Sequence, residues 1–194
     1  MDSTVWLGIA LAYLLGSIPS AYIVSRLVAG VDIRMLGDGN VGARNVYLQV
    51  GRIPGVIVAM LDTAKGATAV LTARWLGLSE IIVLLAGFVV VLAHDCMFPL
   101  RFRGGQGQAA TVGVVLILFP RETLLILALT GVLLLITRNW DLSWSIGFGA
   151  LPLLAWLSGR PPRQVLYPVL LFPLIGLKKL IDLPRARKLA SRGG

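Results

Sequence analysis

Charge is scarce in this chain, and acid is scarcer than base. Only 14% of its 194 residues are charged, against about a quarter in a typical soluble domain. Too little polar sequence remains to cover a water-facing surface, which excludes a soluble globular domain. Cysteine occurs once, as Cys96, so no intrachain disulfide framework exists. Histidine also occurs once, as His94, with no Cys or His cluster around it; no metal site is expected. Internal repeats, low-complexity segments and linkers are missing as well. The first residues, MDSTVWLGIALAYLLGS, lack a basic region and run on into further apolar sequence, so they read as a retained span and not a cleaved signal.

What is present is apolar: hydrophobic residues make up 57% of the chain. A membrane-spanning helix takes about 20 such residues. Seven candidate spans can be marked, at 4–28, 53–73, 80–99, 107–120, 123–137, 142–158 and 165–177. The expected fold is therefore an all-α integral membrane protein of about seven transmembrane helices in one polytopic domain. The fourth and fifth spans are short and separated only by Pro120, Arg121 and Glu122, so they form either a tight hairpin or a pair with one re-entrant member.

The formal charge of +9 raises the question of nucleic acid. The cations, however, lie in short loops between apolar spans, where membrane orientation and lipid head groups account for them, and no nucleic-acid partner is expected. With the N-terminus outside, the inner face collects Arg26, Arg34, Arg44, Arg52, Arg101, Arg103, Arg138 and the cations from Lys178 to Arg192. The outer face keeps Arg74, Arg121, Arg160 and Arg163, and Lys65 falls within a span. That asymmetry predicts an outside N-terminus and a cytoplasmic C-terminus. Trp6, Trp75, Trp140, Trp144 and Trp156 fall near span ends and read as an interfacial aromatic belt. Residues 178–194 read as a basic juxtamembrane tail, either a short helix or a disordered end, held near anionic lipid.

Two glycine-rich, arginine-flanked loops then share the inner face. DIRMLGDGNVGARN carries Arg34, Gly37, Asp38, Gly39, Asn40, Arg44 and Asn45; AHDCMFPLRFRGGQGQAAT carries His94, Arg103, Gly104, Gly105, Gln106, Gly107 and Thr111. Glycines let backbone N–H groups converge on an anion, and a helix starting just beyond adds its unpaired N–H groups and positive dipole end. Gly104, Gly105 and Gly107 are thus expected to cradle phosphate. A tight turn is the alternative, though it needs fewer than three glycines in four positions. Arg34 and Arg44 flank the first loop, and Arg101 and Arg103 approach the second; a guanidinium clamps phosphate bidentately, while topology alone also places arginines here.

At GSIPSAYIVSR, DIRMLGDGNVGARN, LDTAKG and AHDCMFPLRFRGGQGQAAT the chain resembles the bacterial acyl-phosphate-dependent glycerol-3-phosphate acyltransferases, the PlsY family. The likeness covers roughly the first 115 residues in order. It implies seven membrane helices, an outside N-terminus, and an active site at the cytoplasmic leaflet of the inner membrane. The reaction it implies moves a fatty acyl group from acyl phosphate to the 1-hydroxyl of glycerol 3-phosphate, giving lysophosphatidic acid and phosphate for phospholipid biosynthesis, with no cofactor. Three departures stand out: Asp38 where the family reads GSGN, Gln106 where it reads GGKG, and LKKLIDLPRARKL after Gly176 in place of its histidine, asparagine and glutamate motif.

Acyl phosphate is an activated anhydride, so positioning and charge stabilisation suffice without a covalent nucleophile. Ser17, Arg34, Asp38 and His94 are the expected catalytic residues. Gly37, Gly39, Asn40, Arg44, Asn45, Arg103, Gly104, Gly105, Gln106, Gly107 and Thr111 are the expected substrate contacts. Gln106 donates a neutral hydrogen bond, about half as strong as a charge-assisted one. Asp38 pairs with Arg34 or Arg44, or serves as a base. His94 contacts phosphate or tunes the acceptor hydroxyl, or else caps its helix. Asp62 and Lys65, at i, i+3 within an apolar span, are expected to form a supporting ion pair. Ser17 and Ser20 flank Pro19, which breaks the first span; they belong to the site or satisfy freed carbonyls. Asn139 and Ser143 join the site or cap a helix. Two rival functions fit the same residues: a paralogue that binds lipid phosphate or a partner without turnover, and a small transporter.

Overall fold

The computed structural model describes residues 3–191; Arg192, the last cation of the expected tail, lies outside the described residues. Every described element is helical: α1 (Ser3–Gly16), α2 (Ser20–Ala29), α3 (Ala43–Gln49), α4 (Arg52–Trp75), α5 (Glu80–Asp95), α6 (Gln108–Leu118), α7 (Pro120–Thr137), α8 (Trp140–Gly149), α9 (Leu151–Leu157) and α10 (Pro162–Ala190). Short 3-10 turns occupy Ile33–Met35 and Phe98–Leu100. Among the described residues, five stretches are long and apolar enough to cross a membrane: Ser3–Ala29, Arg52–Trp75, Glu80–Leu100, Pro120–Thr137 and Pro162–Leu189. The expected span at 107–120 is the shorter helix α6, and the one at 142–158 is two helices that meet at Ala150, just before Pro152. Pro120 does not sit in a turn but opens α7, where its missing N–H costs nothing.

The chain divides into two compact units, residues 1–114 with 175–194, and residues 115–174. In the first unit, α1 and α4 pack on α5, and α3 packs on α4. Lipid offers no hydrophobic drive for helix association, so close backbone approach through small residues supplies contact instead. Gly16 of α1 lies directly against Val90 O and Ala93 of α5, and Gly66 of α4 against Ala110 O of α6. Pro19 lacks an N–H, which ends α1 and leaves α2 to restart at Ser20. Beneath the glycine loops, Ala21, Val24, Ile33, Val41, Val46, Val58, Met97 and Leu100 form one apolar core. Ile33 and Val41 come from the first loop, Met97 and Leu100 from the second. Burying them together is what holds the two loops side by side.

The expected basic tail, as far as it is described, is helical and forms the end of α10. Through Leu189 its described residues continue the helix begun at Pro162, with Lys178 and Asp182 buried and paired. Spacing explains it: Ile175, Lys178, Asp182 and Arg185 recur every three or four residues along one face.

The second unit is built around stacked aromatics. Trp140, Trp144 and Phe148 follow at i, i+4 along α8, with ring centroids 6.5 Å and 3.6 Å apart, and Phe172 meets Phe148 edge-on at 5.8 Å. Trp144 is only 9% exposed, so it packs internally, whereas Trp6, Trp75 and Trp156 are exposed as belt residues would be. Asn139 caps α8 by accepting from Leu142 N at 3.1 Å, and the Ser143 hydroxyl bonds back to Asn139 O at 2.8 Å. Glu122, on α7, is buried and accepts a bidentate pair from Arg160, both at 2.9 Å. Those hydrogen bonds hold the Arg160 guanidinium pKa above its ordinary value.

Candidate active site

The last carbonyls of a helix have no partners of their own. At the end of α5 the second glycine loop supplies them: Gly104 N donates to Asp95 O at 3.2 Å and Gly105 N to His94 O at 3.0 Å. Only residues without Cβ fit. At Gly104 a Cβ would overlap His94 O, and at Gly105 it would overlap His94 Nε2 while lying 2.7 Å from Val41 O. The two N–H groups expected to cradle phosphate thus serve as a cap on α5. Gly107, at φ +66°, lies against the Asp95 carboxylate and opens α6. Ala109 and Ala110 then stand in the first turn of α6, where N–H groups lack intrahelical acceptors.

His94 is buried between the loops and the helices beneath. Its Nε2 faces Gly105, which itself touches the carbonyl of Val41, so both glycine loops meet at this imidazole. Its Nδ1 lies 3.8 Å from Asp62 Oδ1, beyond hydrogen-bond length but within strong electrostatic reach. Lys65 Nζ stands 3.0 Å from Asp62 Oδ1 and donates to Ile18 O, also at 3.0 Å. The ammonium thus satisfies a carbonyl at the Pro19 break while offsetting the buried carboxylate. Ser17 is buried beside that break, and its hydroxyl has no protein partner. Asn40 Oδ1, Asp95 Oδ1 and Thr111 Oγ1 are likewise buried without partners. Buried polar atoms left unpaired are uncommon in native proteins, and several occur in this unit.

The first loop is laced by Asn45, whose Nδ2 donates to Ile33 O at 3.3 Å and to Leu36 O and Asn40 O at 3.0 Å each. Gly37 and Gly39 both adopt left-handed backbone, at φ +57° and +70°. Asp38 accepts from Asn40 N at 3.0 Å; it pairs with neither Arg34 nor Arg44, so that expectation is corrected. Arg34 closes its fork on Asp32, with Nε to Oδ1 at 2.9 Å and Nη2 to Oδ2 at 2.6 Å, and lies over the Tyr22 ring at 5.0 Å. These hydrogen bonds hold the Asp32 carboxyl below the usual range and raise the Arg34 guanidinium. Arg44 and Arg103 are exposed, and Gln106 is half-buried.

Sequence reasoning missed the contribution of α10. Arg185 Nη2 donates to Gly39 O at 2.8 Å, across 146 residues of sequence, and its Nε is buried without a partner. Lys178 pairs with Asp182 on the same helix. The i, i+4, i+7 spacing of Lys178, Asp182 and Arg185 was the available signal.

The helices thus close two glycine loops over a buried histidine. Residues 6–185 match the family model described as glycerol-3-phosphate acyltransferase, and the chain belongs to that family. Glycerol-3-phosphate acyltransferase 1 of Dehalococcoides mccartyi is 41% identical over 182 residues, covering 91% of this chain and 88% of the relative. A glycerol-3-phosphate acyltransferase of Thermus thermophilus is 40% identical over 165 residues, covering 85% and 82%. A crystal structure of PlsY (YgiH), an integral membrane glycerol 3-phosphate acyltransferase in its glycerol 3-phosphate form, superposes with a TM-score of 0.85 at 29% identity, covering 96% of this chain and 93% of that one. Its lysophosphatidic acid form gives 0.82 at 27% identity, with the same coverage.

Proposed function

We propose that this protein transfers a fatty acyl group from acyl phosphate to the 1-hydroxyl of glycerol 3-phosphate, at the cytoplasmic face of a bacterial inner membrane. In this reading the chain crosses the membrane seven times from an outside N-terminus. The hydroxyl oxygen forms the new ester bond as the anhydride C–O bond breaks, releasing inorganic phosphate and lysophosphatidic acid. His94 receives the hydroxyl proton at Nε2, with the Asp62 carboxylate behind Nδ1 to stabilise the imidazolium. Ser17, Asn40 and Thr111 supply polar contacts to the substrates, and the first turn of α6 supplies N–H donors. Asp38 stays a loop-shaping acceptor. Arg34 engages phosphate by exchanging it for the Asp32 carboxylate, to which its fork is matched in the same geometry. Gly37, Gly39, Arg44, Asn45, Arg103, Gln106 and Gly107 shape or flank the pocket.

The observation that carries this reading is the meeting of the two glycine loops on one buried histidine; the names of the relatives and the glycerol 3-phosphate and lysophosphatidic acid forms of the solved neighbour support it. Purified protein in vesicles, given glycerol 3-phosphate with acyl phosphate, acyl-CoA or acyl carrier protein in turn, should release phosphate and lysophosphatidic acid in equal amounts from acyl phosphate alone. Turnover from another donor overturns the donor assignment. A closed Arg34–Asp32 fork also suits a protein that binds phosphorylated lipid without turnover, and binding with no product in any arm would favour that second reading.

A further inference from the structure

The proposed substrates bring at least two phosphate groups to one site, yet in this structure the nearby cations are either already paired or exposed. Arg34 is forked on Asp32, and Lys65 is held between Asp62 and Ile18 O. Arg44, Arg101 and Arg103 are exposed. Gln106, in the middle of the second glycine run, carries no charge. Arg185, which α10 brings to the first loop, is different. Arg185 spends one Nη2 hydrogen on Gly39 O at 2.8 Å and lies 3.7 Å from Asp182 Oδ1, while its Nε is buried with no acceptor. The backbone of Gly39 approaches so closely that a Cβ there would stand 3.2 Å from Arg185 Nε. The next residue, Asn40, is only 8% exposed and keeps its Oδ1 unpartnered. A guanidinium donor and an amide acceptor, both without protein partners, thus belong to adjoining positions of one loop contact. That pairing suits a phosphate monoester with its hydroxyl, which accepts from one and donates to the other.

We propose that Arg185 binds the phosphate of the acceptor, so that the last helix supplies the cation that the second glycine loop does not. This inference rests on the reading of the site as a glycerol 3-phosphate site. It names a binding residue and not a catalytic one.

Calorimetry on the full chain in nanodiscs tests it without turnover, using glycerol 3-phosphate in one arm and a non-hydrolysable acyl phosphonate in the other. Arg185→Gln should weaken glycerol 3-phosphate about ten- to a hundredfold, as expected for loss of a charge-assisted contact, and leave the acyl phosphonate within about twofold. Arg185→Lys should fall between, because an ammonium keeps the charge but not the fork. Arg187→Gln, which removes an exposed cation from the same helix, should change neither. If Arg185→Gln fails to fold, the Arg185→Lys affinity decides. Equal glycerol 3-phosphate affinity in wild type and variant overturns this inference while leaving the proposed function standing. Selective loss of the phosphonate arm overturns it in favour of a donor contact. A wild-type protein that binds neither ligand overturns both.

Discussion

Between residues 115 and 174 buried polar groups find partners. Thr123 and Thr130 hydroxyls donate to Val115 O at 2.8 Å and Ile126 O at 2.6 Å, and Glu122 takes both arms of the Arg160 fork. The Tyr167 hydroxyl, beside Phe119, departs from this pattern. The unit formed by the earlier helices and the end of α10 behaves otherwise, leaving Ser17, Asn40, His94, Asp95, Thr111 and Arg185 each with an unpaired buried atom. Satisfying every polar atom inside a membrane is the stable solution. The two units therefore differ in how far they meet this rule: one satisfies its buried threonine hydroxyls and carboxylate internally, and the other keeps several buried donors and acceptors open.

The sharpest way to break this contrast is to strip the ion pair beneath His94. Asp62→Leu leaves the Lys65 ammonium buried and unpaired, which should cost about 3–5 kcal/mol. Asp62→Leu with Lys65→Met should recover most of that loss in thermal melts but none of the acyl transfer. Recovery of both would mean that the pair is scaffold alone.

Next come two glycines. Gly105→Ala puts a methyl group into His94 Nε2 and Val41 O and should reduce kcat/KM about a hundredfold, the usual consequence of a misplaced reacting group. Gly147→Ala meets Thr130 Oγ1 in the other unit and should cost about 1–3 kcal/mol of stability with the acceptor KM unchanged. Parallel kinetics and melts check both, and equal effects on activity would erase the distinction.

A smaller effect is expected at Glu122. Glu122→Ala leaves Arg160 without its acceptor and should lower stability by about 1.5–3 kcal/mol, with transfer rates below the melting range unaltered. The smallest concerns Asp32, whose carboxyl pKa is lowered first by its side-chain hydrogen bond from Arg34. Its contribution to stability is complete above the ordinary carboxylate range and is lost as pH falls through the lower folded-state value. Asp32→Asn should therefore flatten the acid side of the melting profile, by less than about 1 kcal/mol for a partly exposed pair. A profile identical to wild type would remove Asp32 from the acid response.

Helical membrane architecture was legible because apolar run length and the sparse loop charges carry it directly. The break at Pro19, the shared face of Asp62 and Lys65, and the two glycine loops were equally readable, since each depends on neighbours within a few residues. Partnership over long distance was not. Nothing local in LKKLIDLPRARKL says that Arg185 reaches Gly39, and the glycines of GGQG look alike whether their N–H groups face an anion or a helix end. The Arg34–Asp32 fork is a middle case: the aspartate stands two residues away in DIR, and a guanidinium fits a carboxylate as well as a phosphate. The meeting at Ala150 was masked by apolar sequence continuing on both sides.

The contact from Arg185 to Gly39 joins one of the first segments made to one of the last. During synthesis the early loop emerges and its helices insert long before α10 exists. Until that final helix is delivered, the Gly39 carbonyl must be hydrated or borrow another donor, and the pocket lacks one wall. This contact between distant segments can therefore close only after α10 has been made.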